Sequence, residues 1–239
     1  MMDGDDGGLF EVKHFAGDVI AVLDAEEVTV PVVIVGHSFG GMSAVRTAME
    51  NPDRVAAIVM SNTCLGFKDE EGAEAMRNCI SAVDPKVRIA LAVETRPPSI
   101  DPERKSKEDR PFTSVSKTFI DKQPALFSLM SQIKNANTQF HQLKLFPKLV
   151  GFLTGSDLLT APSEFRKRFD KPVLFVATDE DLMMPWEVVE HIAAQCGPKT
   201  SVQFFGECVG HSPYYEIPDK YNETLEKWLK GVLASSEKP

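Results

Sequence analysis

The sequence predicts an α/β fold in which a parallel sheet has helices packed on its faces. Short β-branched runs of strand length alternate with helical patterns, and this alternation is typical of parallel α/β sheets. In the stretch "VVIVGHSFGG", Val32 to Gly41, a buried strand is followed directly by a serine between glycines. The 239 residues are 43% hydrophobic, which is enough for one sizeable domain with an inserted segment.

The elements of the first quarter follow from hydrophobic periodicity. Phe15–Glu26 has its apolar residues on one stripe and predicts a helix. Val28–Val35 is apolar at successive positions, so we expect a strand that is covered on both faces of the sheet. Gly41–Glu50 predicts a helix of small residues that ends at Asn51, and Val55–Met60 predicts a second buried strand.

Regular alternation lapses between Cys64 and Phe169 and then returns. The lapse is mostly helical, as in Pro124–Ala136, and is broken by the charged stretch Arg96–Pro111. After it come a strand, a helix, a strand and a helix, at Val173–Ala177, Trp186–Gln195, Val202–Phe205 and Lys220–Val232. We therefore predict an α/β core of residues 1–63 and 170–239 with a mainly helical cap insertion at 64–169.

Charge and composition exclude several classes of partner. The net charge of −9 and the pI near 5.1 argue against binding to nucleic acid or to anionic membranes. The acidic, Gly-rich start lacks the apolar segment of an export signal, and no apolar run approaches the ~18 residues of a membrane span. We expect a cytoplasmic protein.

The four cysteines form no Cys-x-x-Cys pair, so reduced thiols are expected rather than a zinc site or disulfides. The cysteines are Cys64, Cys79, Cys196 and Cys208.

The glycines around Ser38 predict a sharp strand-to-helix turn. Gly36 and Gly40 lack a Cβ, so the strand and the helix can approach closely while Ser38 adopts a strained backbone and points outward. The amide of Phe39 would then lie at a helix N-terminus, aimed at a developing oxyanion. The alternative interpretation is an ordinary glycine-rich turn whose serine caps the helix.

A serine nucleophile needs a base, and His211 is the candidate best placed to supply one. It lies in the loop "GECVGHSPYYE", just after a predicted strand, where α/β sheets place their chemistry. The other histidines are interpreted as helix, leader or elbow residues: His14, His37, His141 and His191. The acid would follow the strand at Val173–Ala177, where three carboxylates compete: Asp179, Glu180 and Asp181.

These motifs resemble the α/β-hydrolase superfamily, in particular its cap-bearing esterase, enol-lactonase and haloperoxidase-like branch. "VVIVGHSFGG" is similar to the nucleophile elbow, "PVLFVATDEDLMMP" to the acid loop, and "GHSPYYEIPDKYNETLEKWL" to the histidine loop and terminal helix. In the family pattern the aspartate lies three residues beyond a position that is usually glycine, here Thr178, so the resemblance selects Asp181. It implies that Ser38 attacks a carbonyl, that His211 takes its proton and that Asp181 orients the imidazole, with no metal or organic cofactor.

The start of the sequence departs from the family pattern. Only 37 residues precede Ser38, and they hold neither the further strands nor the His-Gly pair that usually supplies the second oxyanion amide. We therefore expect an N-terminally shortened fold that lacks the segment for the second oxyanion donor. The strand Val28–Val35 would then present an apolar edge, through which the chain could associate with itself.

The resulting functional hypothesis is a serine hydrolase of the carboxylesterase type that cleaves a small or medium ester, lactone or related acyl substrate. Two alternatives remain open: a non-catalytic binding or interaction module, and a hydrolase that cleaves a carbon–carbon bond with the same triad. Aromatic and Met side chains of the insertion could line an apolar pocket, although the core of the cap is the plainer interpretation; they are Phe112, Phe119, Phe127, Met130, Phe140 and Phe146.

Overall fold

The computed structural model describes residues 12–63, 65, 115–137, 161–181, 184 and 186–236. Several sequence predictions lie outside the described residues. These are the residues before Val12, the charged stretch Arg96–Pro111, and the side chains of Cys64, Cys79, Phe112, Phe140, His141 and Phe146.

Four parallel strands form the described sheet, in the order β1-β2-β3-β4. Their bounds are Val32–His37, Val55–Ser61, Val173–Thr178 and Thr200–Phe205. Because all four strands run in the same direction, their carboxyl ends meet at one edge of the sheet. That edge holds the turn at Ser38, the residues after β2 and the loops that follow β3 and β4.

The helices agree with the predicted alternation. α1 is Val12–Ala25, α2 is Phe39–Glu50 and a short 3₁₀ turn is Pro52–Arg54. In the predicted insertion, α3 is Lys117–Lys122, α4 is Pro124–Asn137 and α5 is Pro162–Arg168. The last helices are α6 at Trp186–Gln195, α7 at Pro213–Glu216 and α8 at Pro218–Ser236.

The sheet separates two hydrophobic clusters. One face packs against α2, α5 and α6 around Ile58, Met60 and Phe175, all fully buried. The other face packs against α8 around Val59 and Val176, with Trp228 partly buried beside them. Burial of β2 and β3 on both faces explains why their sequences read as nearly continuous apolar runs.

Phe165 and Phe169 belong to the first of these clusters and have no exposed surface. The predicted boundary assigns both residues to the insertion, yet their side chains pack with those of the sheet. The division of the chain into a core and a cap remains a prediction.

The strand β1 differs from its prediction in two ways. It begins at Val32 rather than Val28, because the amide of Val28 donates to Leu23 O and closes the end of α1, with Glu27 at φ 55°. It is also not covered on both faces, since Val35 is 49% exposed. β1 is an edge strand of the described sheet, and self-association through it remains a prediction.

Other boundaries move by a few residues. α1 begins at Val12, so His14 lies within a helix and not in the leader. α2 begins directly after Ser38 at Phe39 rather than at Gly41, and β4 begins at Thr200 rather than Val202. Within the described ranges, no helix combines the length and the apolar character that a membrane crossing requires.

Candidate active site

The turn after β1 holds Ser38 in a strained backbone. Its φ of 50° and ψ of −122° lie outside the regions that L-residues ordinarily adopt. The amide of Ser38 donates to Ser61 O at 2.9 Å, which ties the turn to the end of β2. Ser38 stands at the N-cap position of α2, but its side chain makes no capping hydrogen bond. The capping-serine interpretation of the motif is therefore wrong.

Gly36 is the glycine that this turn requires. A Cβ at Gly36 would overlap the carbonyl group of Gly40 and lie 2.6 Å from Gly41 Cα, so strand and helix approach backbone to backbone. Gly40 is different, because a Cβ there would meet no atom within 4 Å. The expectation that both glycines permit the close approach is thus wrong for Gly40.

The histidine loop brings His211 next to Asp181. His211 Nδ1 lies 2.8 Å from Asp181 Oδ2, and both side chains are buried. A carboxylate can only accept, so Nδ1–H donates and the lone pair of the neutral ring lies on Nε2. An imidazole in this tautomer can take a proton at Nε2.

Several donors from the described residues hold the Asp181 carboxylate. Besides the His211 ring, Asn62 Nδ2 donates to Oδ2 at 2.9 Å and the amide of Met184 donates to Oδ1 at 3.0 Å. A buried carboxylate that accepts several hydrogen bonds is fixed in position. Asp181 is therefore held where it can orient the His211 ring.

The two other candidate acids have different surroundings. Asp179 accepts from the amides of Cys208 and Val209, at 3.0 and 2.8 Å, and so fixes the start of the histidine loop. Glu180 contributes its backbone amide, which donates to Val209 O at 2.9 Å. Of the three, Asp181 is the one whose carboxylate is hydrogen bonded to His211.

His37 joins the turn at Ser38 to the histidine loop. Its Nε2–H donates to His211 O at 2.6 Å, and the two imidazole rings are 4.7 Å apart between centroids. Burial lowers the pKa of His37, while the hydrogen bond to His211 O acts in the opposite direction. His37, which directly precedes Ser38, thus contacts His211, the candidate base. The Ser38 hydroxyl itself forms no hydrogen bond in the described part of the chain.

Comparison with known families decides the class of this fold. A model described as alpha/beta hydrolase fold matches residues 10–217, which is most of the chain. The chain belongs to the α/β-hydrolase fold family.

Curated relatives of this α/β-hydrolase protein are named as hydrolases. One relative, from Mycoplasma pneumoniae, is named as candidate esterase/lipase 2. It is 25% identical over 230 residues, which cover 95% of this chain and 74% of the relative. RutD of Caulobacter vibrioides is named as a candidate carbamate hydrolase. It is 23% identical over 230 residues, which cover 93% of this chain and 74% of RutD. These relatives support a hydrolase.

A solved structure gives the same fold. Est816, described as an N-acyl homoserine lactone degrading enzyme, matches with a TM-score of 0.66 at 22% identity. The match covers 94% of this chain and 78% of the other. At that identity the likeness shows the shared α/β-hydrolase fold.

Sequence reasoning missed two polar residues behind the candidate triad. Asn62 directly follows β2, and its Nδ2 reaches both Asp181 and Thr178 Oγ1, the latter at 2.7 Å. The Thr178 hydroxyl in turn donates to Gly210 O at 2.8 Å. A polar residue at the carboxyl end of a buried parallel strand is the signal that could have identified both.

The remaining predicted residues lie around or away from this site. Phe39 is the first residue of α2, so its amide belongs to the first turn of that helix, and its ring packs on Phe15 at 5.0 Å. His191 is exposed on α6 beside Gln195, apart from the site. Among the described residues, no group of three or more His, Cys, Asp or Glu side chains could hold a metal ion.

Proposed function

We propose that this α/β-hydrolase protein is a serine hydrolase that acts on a small or medium ester, lactone or related acyl substrate. Ser38 would be the nucleophile, His211 the base and Asp181 the acid. The observation that supports this most strongly is the buried hydrogen bond between His211 Nδ1 and Asp181 Oδ2 at 2.8 Å. The hydrogen bond from His37 to His211 O joins the loop that bears His211 to the turn at Ser38.

The proposed reaction begins with proton transfer from the Ser38 hydroxyl to His211 Nε2 as the serine oxygen attacks the carbonyl carbon. Asp181 keeps the ring in the tautomer that accepts at Nε2 and stabilises the imidazolium that forms. His211 then returns the proton to the leaving group, and water hydrolyses the acyl-enzyme by the same steps. General base catalysis of this kind contributes about 10²–10⁴-fold to the rate.

The negative charge that develops on the carbonyl oxygen needs donors that are already oriented. We assign the Phe39 amide to this role, because it follows Ser38 at the N-terminus of α2, where the helix dipole favours an anion. One such donor accounts for about 2.7–4 kcal/mol of transition-state stabilisation.

The substrate class rests on what the relatives share. The printed activities are those of an esterase or lipase, a carbamate hydrolase and a lactone-degrading enzyme, and each involves attack on an acyl carbonyl. A serine nucleophile with an imidazole base suits all three reactions. We therefore propose acyl hydrolysis as the chemistry of this chain.

A fluorophosphonate probe tests the proposal, because it labels a serine only when that serine is activated. We expect the parent chain to be labelled at Ser38 and both Ser38→Ala and His211→Ala to remain unlabelled. Ser43→Ala is the matched control, since Ser43 lies one turn along α2 and its hydroxyl bonds to Phe39 O. An unlabelled but folded parent would instead favour a non-catalytic binding module.

A further inference from the structure

Glu216 is a carboxylate that the proposed reaction does not use, and it bridges two separate segments. Its Oε1 accepts from the amide of Gly210 at 2.9 Å, directly before His211. Its Oε2 accepts from the amide of Ser116 at 3.0 Å, directly before α3. One side chain at the end of α7 therefore binds both the histidine loop and the segment that leads into α3.

The two segments are in backbone contact at this point. A Cβ at Gly210 would lie 2.5 Å from Ser116 N and 2.8 Å from Val115 C, so only a glycine fits. Val115 and Ser116 are almost completely buried. Ser116 Oγ accepts from Phe119 N at 3.0 Å and caps α3. The start of α3 is thus packed directly on the loop that bears His211.

We propose that Glu216 is a positioning residue that couples the docking of the segment 115–122 to the placement of His211. When α3 is docked, the Ser116 amide binds one oxygen of Glu216 and the other oxygen holds Gly210. When the segment moves, Gly210 and the adjacent imidazole lose that restraint. The catalytic consequence rests on the function proposed above, whereas the coupling itself does not.

An ionised carboxylate is needed for this bridge because both of its oxygens accept. Burial raises the pKa of Glu216, and the hydrogen bonds from Ser116 and Gly210 act against that shift by stabilising the charged form. Glutamine has nearly the same shape but only one acceptor, so its NH₂ group would face an N–H group on one side. Glu216→Gln therefore removes half of the bridge with little change of volume.

Amide hydrogen exchange measures the bridge without any reference to catalysis. In the parent chain we expect slow exchange at Ser116 and Gly210, and in Glu216→Gln an increase of about 10-fold or more at both amides, since bonds to charged groups are strong. Glu223→Gln, an exposed glutamate on α8, is the matched control and should change neither. Unchanged protection in Glu216→Gln would overturn the proposal.

A change on the α3 side tests the coupling in the other direction. Ser116 has φ −64°, which proline can adopt, so Ser116→Pro removes the N–H group and the hydroxyl, whereas Ser116→Ala removes only the hydroxyl. We expect Ser116→Pro to accelerate exchange at Gly210 by several-fold relative to Ser116→Ala. Exchange at Gly210 in Ser116→Pro equal to that in the parent chain would show that the segments are not coupled, even if Glu216→Gln failed to fold.

Labelling kinetics separate this proposal from the proposed function. With a fluorophosphonate we expect the second-order labelling rate of Ser38 to fall about 10-fold in Glu216→Gln and to be unchanged in Glu223→Gln, at equal thermal stability. Equal labelling rates in all three chains would contradict positioning of His211. A parent chain that is not labelled would refute the serine hydrolase, while the exchange data would still decide the coupling.

Discussion

Asp179 and Asp181 lie two residues apart, and their carboxylates bind different parts of the candidate site. Asp179 accepts from the amides of Cys208 and Val209 and shapes the histidine loop. Asp181 accepts from the ring of His211. One aspartate therefore supports the backbone of the loop, and the other orients the imidazole that the loop presents.

Replacing each aspartate by asparagine should separate these roles. We expect Asp181→Asn to lower kcat for an aryl ester by about 10⁴-fold, because an amide in this position favours the wrong imidazole tautomer. Asp179→Asn keeps one acceptor for the two loop amides, so its kcat should fall by about 10-fold or less. Steady-state kinetics of both variants give the comparison. The reverse order of losses would make Asp179 the acid.

Asn62 combines a positive φ with buried side-chain hydrogen bonds to Ser61, Thr178 and Asp181, which makes its contribution to stability measurable. Its φ is 50°, a conformation that glycine adopts freely and alanine does not. Asn62→Gly should lower the free energy of unfolding by about 1–3 kcal/mol, through the loss of donors to Asp181 and Thr178. Asn62→Ala should cost about 1–2 kcal/mol more because it adds backbone strain. Urea denaturation measures both, and a neutral Asn62→Gly would contradict the hydrogen-bond role.

The sequence predicted the types of the site residues better than their contacts. His211 and Asp181 could be proposed because each follows a recognisable apolar strand, and because their motifs resemble a known family. The position of Asn62 after β2 could have marked it as a polar residue near the site, but its partners could not be predicted, since they lie more than a hundred positions away. Contacts of this kind exist only once the strand order and register are known.

At the level of elements, the junction of β1 and α2 depends on one glycine of the motif. Gly36→Ala places a Cβ against the backbone of Gly40 and Gly41, so we expect a loss of about 1–3 kcal/mol in the free energy of unfolding. Gly40→Ala meets open space within α2 and should be neutral or stabilising by up to about 1 kcal/mol.

Chemical denaturation of these two single-methyl variants provides its own control, since both lie in the same turn. A larger loss for Gly40→Ala than for Gly36→Ala would mean that the helix, and not the strand, sets the spacing of the junction.

Elements buried on both faces could be predicted more accurately than elements at the edge of the sheet. The strand β2 is apolar from Val55 to Met60, and its predicted end at Met60 lies one residue before its observed end at Ser61. The start of β1 was predicted four residues too early, because the β-branched run continues into residues that close α1. Local propensity does not show which backbone amides donate to the end of a preceding helix and are therefore not available to a strand.

At the scale of the whole molecule, the fold follows from the alternation of strands and helices, while the pH response follows from burial. Burial raises the pKa of the Cys196 thiol to about 12, so this core cysteine stays protonated. Burial also lowers the pKa of His37, whose ring faces His211, Tyr214 and the nearby charge of Asp181. A histidine of this kind makes folding stability depend on pH.

The sign of that dependence follows from proton binding. Between the lowered pKa of folded His37 and the ordinary value of 6.5, the unfolded chain binds more protons at this residue than the folded chain does. The contribution of His37 to the free energy of unfolding is therefore complete above pH 6.5 and is lost as the pH falls toward the folded pKa.

His37→Gln tests this dependence, because it keeps a donor for His211 O but does not titrate. We expect its free energy of unfolding to rise less between pH 5 and 7 than that of the parent, as measured by urea denaturation at each pH. His191→Gln, which changes an exposed histidine, should keep the parent's rise. If the His37 and His191 variants gave the same pH dependence, His37 would not be the group whose proton binding is linked to folding.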